Sequence, residues 1–407
     1  MNSRDRVLAA INHRPVDRVP VDLGGTRQSG IAALTYARVR KLLGVDCSTP
    51  FKVFDTYQML AEIEHEVAER FGSDCVALNR PAVAFGIRNE NWKPWQLADG
   101  TDVLVPGGFN PEREPDGDLV LRRGGEILAR MPAGGFYFDR YEKYPGAMHP
   151  DLAGWRPPQI SEADLRHYEV ASRSLFDETD KCVIAAIGPP YELFNGIGQG
   201  GFEDWMMTFA SEPEYVDELY RKLVDAWIEN LTAFHRAVGE RVQVIQIADD
   251  FGTQHGPFLS VDMFRDRLLP AYQRGLNWIH DNTGWKVLLH SDGAIRPLLA
   301  SIIEMGVDIL NPVQTSAVGM EPQQLRADFG ERLAFWGGSC DSQGTLSRGT
   351  PAQVADEVRR NLDAFDALAG GYVLASVHNV QADVRAENVV ALFDAAGDYS
   401  TQGALTN

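Results

Sequence analysis

The chain has 407 residues, of which 44% are hydrophobic and 23% are charged. These proportions are typical of a folded globular protein with enough apolar material for a large core, and they exclude a disordered chain. Asp and Glu number 57 against 38 Lys and Arg, so the net charge is −19. Such a charge repels nucleic acid and anionic membrane surfaces, and we expect neither as a partner.

The first residues, MNSRDRVLAAINHRP, lack the apolar segment of a secretory signal. No stretch of about 18 uncharged apolar residues is present to span a bilayer, and we therefore expect a cytoplasmic enzyme. The cysteines at Cys47, Cys75, Cys182 and Cys340 lack the paired short spacing of a zinc ribbon and the density of a disulfide scaffold. This scatter predicts reduced thiols.

In chain order, the first predicted helix begins near Ser3, and a strand over 19–23 follows it and ends at Gly24. Helices over 33–44 and 56–72 come next, because apolar residues recur at helical spacing and each segment stops at a glycine.

Residues 80–145 are rich in Gly, Pro and aromatic residues, and short strand-like runs are bounded there by Asp-Gly turns. This composition predicts a β-rich insertion in the N-terminal third of the chain. We expect residues 1–407 to form a single domain around it, since barrels of alternating strands and helices often run past about 250 residues as one domain.

Beyond Ser161, continuous apolar runs of strand length alternate with helical segments. The runs are 182–188, 242–248, 286–289, 307–310, 332–338 and 371–376. One helix starts with a capping box at 211–214, and another starts at Thr350 and ends at Gly370. The alternation predicts an α/β protein with a parallel sheet. Because no glycine-rich phosphate-binding motif follows an early strand, we predict a (β/α)8 TIM barrel rather than a dinucleotide-binding sheet.

In such a barrel the reactive groups come from the carboxyl ends of the strands. The ionisable residues that end or follow the apolar runs are Asp22, Asp249, Asp250, His290, Asp292, Cys340 and His378. His290 and Asp292 are two residues apart in an extended segment, so both side chains point to one side and can reach one ion. A catalytic metal would need a third protein ligand, for which His378 and Cys340 are the candidates.

The same residues also have a structural interpretation. Asp292 would then cap a helix that begins near Ala294, and His290 would be a hydrogen-bonded histidine at a strand end. Of the adjacent carboxylates, Asp250 is chosen as the one that faces the pocket, as a general base or substrate contact, although a loop-organising aspartate is the alternative. Candidate substrate contacts are Asp22, Asp249, His255 and Tyr191.

Five segments, in this order, resemble the uroporphyrinogen decarboxylase superfamily. They are RDRVLAAINHRPVDRVPVDLGG, IADDFGTQHGPFLSVDMFRDRLLPAY, LLHSDGAIRPLLASIIEMGVDILNPVQTSAVGM, FWGGSCDSQGTL and HNVQADVRAENVVAL. The resemblance spans nearly the whole chain. It implies a (β/α)8 barrel with its active site at the carboxyl-terminal mouth, in agreement with the alternation of strands and helices.

Two chemistries occur in that superfamily. The porphyrinogen decarboxylases carry an arginine-rich segment after the first strand, which holds the carboxylates of the substrate. Arg27, Gln28, Ser29 and Gly30 match that segment in part, but Ile31 stands where the resemblance implies a further arginine. The resemblance therefore argues against a polycarboxylate substrate.

The other branch contains cobalamin-dependent methyltransferases, whose zinc is held by a His-x-Cys pair and a later Cys. His290 matches the histidine, while Asp292 stands at the first cysteine and His378 lies near the later one. A zinc ion at this site would have harder ligands than thiolates, and a harder site suits a methoxy or N-methyl substrate better than a thiol.

The leading hypothesis is a corrinoid-dependent methyltransferase that moves a methyl group from a small methoxy or N-methyl compound to cobalt(I). Zinc would bind to His290, Asp292 and His378, while Asp250 would orient the substrate. The corrinoid (cobalamin) is expected on a separate partner protein, since the chain shows no second domain to carry it, and the resemblance is compatible with a homodimer.

Two alternatives remain open. The first is a decarboxylase or other lyase for a small carboxylate, in which Asp250 and His290 move protons without a metal. The second is a barrel that only binds a ligand or a partner. Ionisable residues at so many strand ends argue against the second alternative, because burying them without a use costs stability.

Overall fold

The computed structural model describes residues 1–138, 140–141, 151–195 and 202–406. In chain order the strands are β1 (Phe51–Asp55), β2 (Leu60–Ala61), β3 (Cys75–Leu78), β4 (Lys93–Gln96), β5 (Asp102–Val105), β6 (Glu112–Arg113), β7 (Leu119–Arg123), β8 (Glu126–Met131), β9 (Arg140–Tyr141), β10 (Cys182–Ala186), β11 (Val244–Ala248), β12 (Lys286–His290), β13 (Ile309–Asn311), β14 (Ala334–Trp336) and β15 (Tyr372–Val373). The helices are α1 (Ser3–Ile11), α2 (Ala33–Leu43), α3 (His65–Arg70), α4 (Glu162–Glu178), α5 (Phe202–Ser211), α6 (Pro213–Val238), α7 (Val261–Met263), α8 (Leu269–Asn282), α9 (Leu299–Met305), α10 (Pro322–Phe329), α11 (Thr345–Arg348), α12 (Pro351–Phe365) and α13 (Ala386–Thr406).

A parallel sheet of seven strands, in the order β15-β14-β13-β12-β11-β10-β3, forms the centre of the described chain. Its two edges are joined through the segment around Val21, which makes parallel bridges to both Leu374 and Ser73. The backbone N–H of Asp22 donates to the carbonyl of Leu374, and that of Asp74 donates to the carbonyl of Val21. The curled sheet is TIM-barrel-like, and the alternation of strands with helices that predicted a parallel sheet is confirmed.

Helix α1 covers the amino end of this sheet. Its apolar residues Val7, Ala10 and Ile11 join a buried cluster with residues from the sheet, among them Ile184 and Trp336. The covered end is the amino end, because the carbonyl of Ala10 accepts from the N–H of Gly371, directly before β15. The opposite end, where the strands finish, is therefore the one left for a functional site.

The outer helices pack on the sheet through one apolar face each. On α6 the buried residues recur every three or four positions, as in Leu223, Trp227 and Leu231, which is the spacing of a helix face turned to a core. Gly275 of α8 lets the two helices approach, since a Cβ atom there would lie 2.0 Å from the indole ring of Trp227. Packing of this closeness fixes the position of α8 against the sheet.

The predicted helix over 56–72 is wrong in its first half. The carboxylate of Asp55 accepts from the backbone N–H of Tyr57, which turns the chain, and Met59 then adopts a positive φ of 53°. The next residues form β2, which pairs antiparallel with β1, so only α3 remains helical. A local side-chain hydrogen bond and strand pairing have overridden the helical spacing of the apolar residues.

Two predicted helix boundaries are confirmed and two are corrected. The α2 helix ends at Gly44 with a φ of 72°, and Thr350 with Gln353 forms a capping box at the start of α12. That helix ends at Phe365 rather than at Gly370. The capping box at 211–214 is absent, because the hydroxyl of Ser211 donates to the carbonyl of Met207 inside the end of α5.

The region predicted to be β-rich contains β4 to β9, which pair in two further sheets of order β2-β1-β5-β4 and β6-β7-β8-β9. Positions 139 and 142–145 of that region lie outside the described residues. Its buried residues, such as Val103 and Phe109, belong to the same apolar cluster as the outer helices. Within the described part of the chain, no helix combines the length and the apolarity that crossing a bilayer requires.

Candidate active site

Three side chains predicted as metal ligands meet at the carboxyl edge of the sheet. They are His290 at the end of β12, Asp292 just after it, and His378 after β15, and one ligand atom from each lies within 4.8 Å of the others. His290 is 5% exposed, while the other two are half-buried. The fold therefore brings together ionisable groups that are far apart in the sequence. We call these three residues the ligand group.

The orientation of the His290 ring is fixed by Asn311, at the end of β13. The Nδ2 of Asn311 donates to the carbonyl of Trp336 over 3.0 Å, so its Oδ1 is the atom that faces His290 Nδ1 at 2.7 Å. In its neutral form the ring therefore carries its proton on Nδ1, which leaves the lone pair on Nε2. This Nε2 points towards the carboxylate of Asp292, whose Oδ2 lies 3.8 Å away.

His378 lies beside His290, with 5.6 Å between the ring centroids. Burial lowers the pKa of His378, and the neighbouring His290 lowers it further, while the carboxylates of Asp292 and Asp250 act in the opposite direction. The shift favours a neutral imidazole at neutral pH. A neutral imidazole is the form that binds a metal ion.

The loop that carries Asp292 is held by the loop that follows β11. The carboxylate of Asp250 accepts from the backbone N–H of Asp292 over 2.9 Å. The two loops cross at Gly252 and Gly293, where a Cβ atom on Gly293 would lie 2.4 Å from the carbonyl carbon of Gly252. Gly293 also has a φ of 94°, so glycine is required there both for space and for conformation. The sequence HSDG thus ends in a glycine because two backbones touch.

The capping alternative for Asp292 does not describe this loop. The next helical turn, Arg296–Leu298, has Ile295 at its N-cap position and no side-chain cap. His290, by contrast, is both hydrogen-bonded at a strand end and part of the ligand group. The structural interpretation and the metal interpretation of His290 are therefore compatible, since a ligating histidine normally donates its other ring N–H to a second residue.

Asp249 and Asp250 have different surroundings. The buried carboxylate of Asp249 accepts from the backbone N–H of Phe194 at 2.6 Å and of Asn195 at 2.8 Å, and from the hydroxyl of Tyr272 at 2.7 Å. It holds the loop after β10 and has little capacity left for a substrate. Asp250 is half-buried and faces the loop of Asp292. The expectation that only one of the pair lies towards the site agrees with this arrangement, but the choice of Asp249 as a substrate contact does not.

Asp22 lies at the point where the two edges of the sheet meet. Its Oδ2 accepts from the indole N–H of Trp336 over 2.9 Å, and its Oδ1 accepts from the backbone N–H of Gly25 over 2.7 Å. Burial raises the pKa of this carboxyl to about 6, against the opposing effect of Ser29 and the other donors. Asp22 is 1% exposed, so it supports the wall of the site instead of presenting a carboxylate to solvent.

A cavity of about 300 Å³ lies at the same edge of the sheet, and we call it the mouth cavity. Gln246 and Ala248 of β11 line it, and Ala248 pairs in register with His290 on the neighbouring strand. Strand β11 therefore borders both the cavity and the ligand group. Tyr191, predicted as a substrate contact, lines the cavity and stacks on Trp155 with 6.4 Å between ring centroids.

The other predicted site residues lie elsewhere. Cys340 is fully buried in the apolar cluster and is not among the residues of the ligand group. Burial raises the pKa of its thiol, so it is not poised to ionise as a metal ligand. Gly337 and Gly338, both with positive φ, carry the chain from β14 to that buried position. His255 is exposed in a separate cleft, together with Arg296.

Sequence reasoning missed three features of this site. Asn311 ends an apolar run in the same way as His290 does, so the rule of collecting polar strand ends would have found it if amides had been included. Arg80 follows β3, which the sequence reading did not identify as a strand. The side chains of Gln28 and Gln246 meet across the mouth cavity at 2.9 Å, and no local pattern predicts a contact between residues so far apart in the chain.

The architecture and the site define an α/β protein with a parallel, TIM-barrel-like sheet and ionisable groups at its carboxyl edge. Residues 144–399 match the family described as uroporphyrinogen decarboxylase (URO-D). Because this match covers more than half of the chain, the protein belongs to the uroporphyrinogen decarboxylase family. The resemblance inferred from the sequence is thereby confirmed, and membership of an enzyme family follows from it.

Comparisons with individual proteins agree over the full length. The chain is 26% identical to a uroporphyrinogen decarboxylase of Xanthomonas euvesicatoria pv. vesicatoria, covering 98% of this chain and 99% of that protein. It is 29% identical to a uroporphyrinogen decarboxylase of Xylella fastidiosa, covering 97% and 98%. Among solved structures, a methyltransferase from Methanosarcina mazei matches with a TM-score of 0.59 at 17% identity, covering 98% and 99%. At that identity the structural match shows a shared fold.

Proposed function

We propose that the protein is a metal-dependent methyltransferase that transfers a methyl group from a small methoxy or N-methyl compound to a cobalt(I) corrinoid. The observation that carries this proposal is the ligand group beside the mouth cavity. Two imidazoles and one carboxylate form a donor set that zinc uses in catalytic sites, where a fourth position stays open for water or substrate.

Within the ligand group, whose three donor atoms lie within 4.8 Å of one another, His290 and Asp292 are close enough to share one ion. Two donor atoms that are both about 2.1 Å from a zinc ion are at most about 4.2 Å apart. The 3.8 Å between His290 Nε2 and Asp292 Oδ2 lies inside that limit. His290 has its Nδ1 engaged by Asn311, and the lowered pKa of His378 favours its neutral form. Both rings are therefore prepared to donate a lone pair.

The proposed division of labour follows from the contacts. A bound zinc ion would polarise the oxygen or nitrogen that loses the methyl group, as a Lewis acid. Asp250 keeps Asp292 in place through its backbone N–H, and the mouth cavity holds the rest of the substrate. The cobalt(I) corrinoid would supply the electron pair that accepts the methyl group, while the heteroatom of the substrate would retain the electrons of the broken bond and take up a proton. The corrinoid is proposed to be presented by a partner protein.

The arginine-rich carboxylate site of a porphyrinogen decarboxylase is only partly present. Ile31, at the position where a further arginine was expected, is 1% exposed and makes a parallel bridge to Val380. Arg27 is engaged by the buried carboxylate of Asp55, 2.6 Å from its Nε. These contacts support a small substrate over a tetrapyrrole with many carboxylates.

A decarboxylase is the second candidate, favoured by the names of the relatives that match over nearly the whole chain. In that case Asp250 and His290 would move protons at a small carboxylate without a metal.

The experiment begins with purified protein, in which bound metal is measured by mass spectrometry for the wild type and for His290→Ala. His65→Ala, a change at an exposed histidine on α3, is the matched control. Each protein is then mixed anaerobically with cobalt(I) cobalamin and methylated compounds, and formation of methylcobalt is followed by its visible spectrum. We expect methyl transfer by the wild type and by the control and none by His290→Ala. Full activity of metal-free protein would refute the mechanism, and release of carbon dioxide without methyl transfer would favour the decarboxylase.

We also propose that the segment around Val21 is the first strand of a (β/α)8 barrel and that residues 80–145 are an insertion within this single domain. Limited proteolysis tests the second point. If the insertion were a separate domain, cleavage would release it as a stable fragment and leave a folded remainder.

A further inference from the structure

Arg80 is a cationic side chain in the wall of the mouth cavity for which the proposed function has given no role. It lies two residues after the end of β3, and its Nε and Nη2 both donate to the carbonyl of Ala186, at 3.2 and 3.0 Å. Ala186 ends β10 and lines the same cavity. The guanidinium is thus anchored by one edge to the end of a strand, which fixes its plane while its Nη1 donors remain for another acceptor.

The charges around the cavity single out this arginine. Arg27, the other arginine in the lining, is neutralised by Asp55. Arg80 forms no ion pair with any acidic residue of the described ranges, although the chain carries a net charge of −19. Glu192, the acidic residue of the lining, lies close enough to Asp249 to raise the pKa of that carboxyl. A negative group in the cavity would therefore be repelled by Glu192 and attracted by Arg80.

We infer that the methylated substrate is a small carboxylic acid whose carboxylate binds to Arg80. This inference rests on the proposed function for the identity of the reacting group, but it concerns a different part of the substrate. A planar guanidinium held at one edge matches the geometry of a carboxylate. A volume of about 300 Å³ is the lower limit for a ligand pocket, which fits a single ring or a short aliphatic chain.

The inference is tested by binding, without turnover. Isothermal titration calorimetry compares two acid–amide pairs, namely 4-methoxybenzoate with 4-methoxybenzamide and methoxyacetate with methoxyacetamide, on the wild type. The proteins tested beside it are Arg80→Gln, Arg80→Lys and the control Arg123→Gln. Arg123 is a matched control because its exposed guanidinium also donates to a backbone carbonyl, that of Phe85, but does not line the mouth cavity.

We expect the wild type and Arg123→Gln to bind at least one acid about tenfold more tightly than its amide, since a charge-assisted hydrogen bond is lost with the amide. Arg80→Gln should abolish this preference, and Arg80→Lys should retain part of it. The inference would be overturned if Arg80→Gln preferred the acids over their amides as strongly as the wild type does. It would also be overturned if the wild type bound neither acid, or bound each acid no more tightly than its amide.

The two proposals fail separately in this design. If acid binding depends on Arg80 but no methylcobalt is formed with any compound, the carboxylate site stands and methyl transfer is refuted. If methyl transfer occurs with uncharged compounds and is insensitive to Arg80→Gln, the proposed function stands and the carboxylate site is refuted.

Discussion

The carboxyl edge of the sheet has two chemically different halves, separated by strand β11. On one side, the ends of β12 and β15 present lone pairs from His290, Asp292 and His378, with a short contact from His290 to the supporting amide of Asn311. On the other side, the mouth cavity presents the amides of Gln28 and Gln246 and the guanidinium of Arg80, together with the carboxylate of Glu192. The first half can bind a cation and the second can bind an anion. Under the proposed function, the first half would activate one end of a substrate while the second half would hold the other end.

Two adjacent carboxylates at the end of β11 each bind a loop, one in each half. Asp249 turns to the cavity side and binds the loop at Phe194 and Asn195, while Asp250 turns to the ligand group and binds the N–H of Asp292. Successive residues of an extended chain point to opposite sides, so a single Asp-Asp pair can organise two loops. This arrangement explains why the strand ends on two acidic residues although only one of them approaches the ligand group.

Removal of a metal ligand should have the largest effect, and the effect should be confined to the half that contains the ligand group. His290→Ala is expected to weaken metal binding by roughly a thousandfold or more, since loss of a mere supporting partner already costs about ten- to hundredfold. Competition with a chromogenic chelator measures the change, with His65→Ala as control. The cavity half should be unaffected, so acid binding by Arg80 should persist. Unchanged metal content in His290→Ala would show that the two halves do not differ in the way described.

The adjacent carboxylates Asp249 and Asp250 should contribute differently to the free energy of unfolding. Asp249→Asn places an NH2 group among buried donors, and we expect it to reduce the free energy of unfolding by about 3 to 4 kcal/mol. Asp250→Asn should cost less than about 1 kcal/mol, because Asp250 is half-buried and an amide oxygen can still accept from Asp292. Denaturant titrations of both variants measure the difference. Equal destabilisation would contradict the assignment of one residue to each half.

The sequence alone predicted most of the fold because the signals are local. Continuous apolar runs predicted the positions of β10 to β15, and the HSDG and ADDFG strand ends pointed to the edge where the candidate site lies. The contacts that complete the site are not local. The Asn311 side chain accepts from Nδ1 of His290 and so determines its tautomer, and the backbones of Gly252 and Gly293 are in contact across two loops. Each contact joins two distant segments, so neither can be predicted from one segment alone. Cys340 was misplaced for the same reason, since strand-end position does not fix the direction in which the following glycines turn.

Asp22 offers a pH-dependent test of the cavity half. Its carboxyl has a pKa near 6 in the folded protein, mainly because of burial, against 3.8 as the ordinary value. As the pH rises from about 4 to about 6, the unfolded chain therefore loses this proton first, and the folded state becomes less stable by up to about 3 kcal/mol from this group. Asp22→Asn cannot titrate, so the stability of the wild type relative to this variant should fall across that window. A difference that is constant with pH would contradict the raised pKa.

The smallest expected effect concerns the support of the ligand half. Asn311→Ala removes the acceptor that holds the Nδ1 proton of His290, so the ring can adopt either tautomer and can rotate. We expect metal affinity to fall about ten- to hundredfold, which is typical of losing a residue that supports a ligating histidine. Asn311→Asp retains the acceptor oxygen towards His290 and should keep most of the metal affinity, but it loses the donor to the carbonyl of Trp336 and should therefore be less stable. A denaturant titration of both variants separates the effect on the ring from damage to β13. Equal losses in Asn311→Ala and Asn311→Asp would assign the effect to packing, because only the alanine variant lacks the oxygen that directs Nε2 towards Asp292.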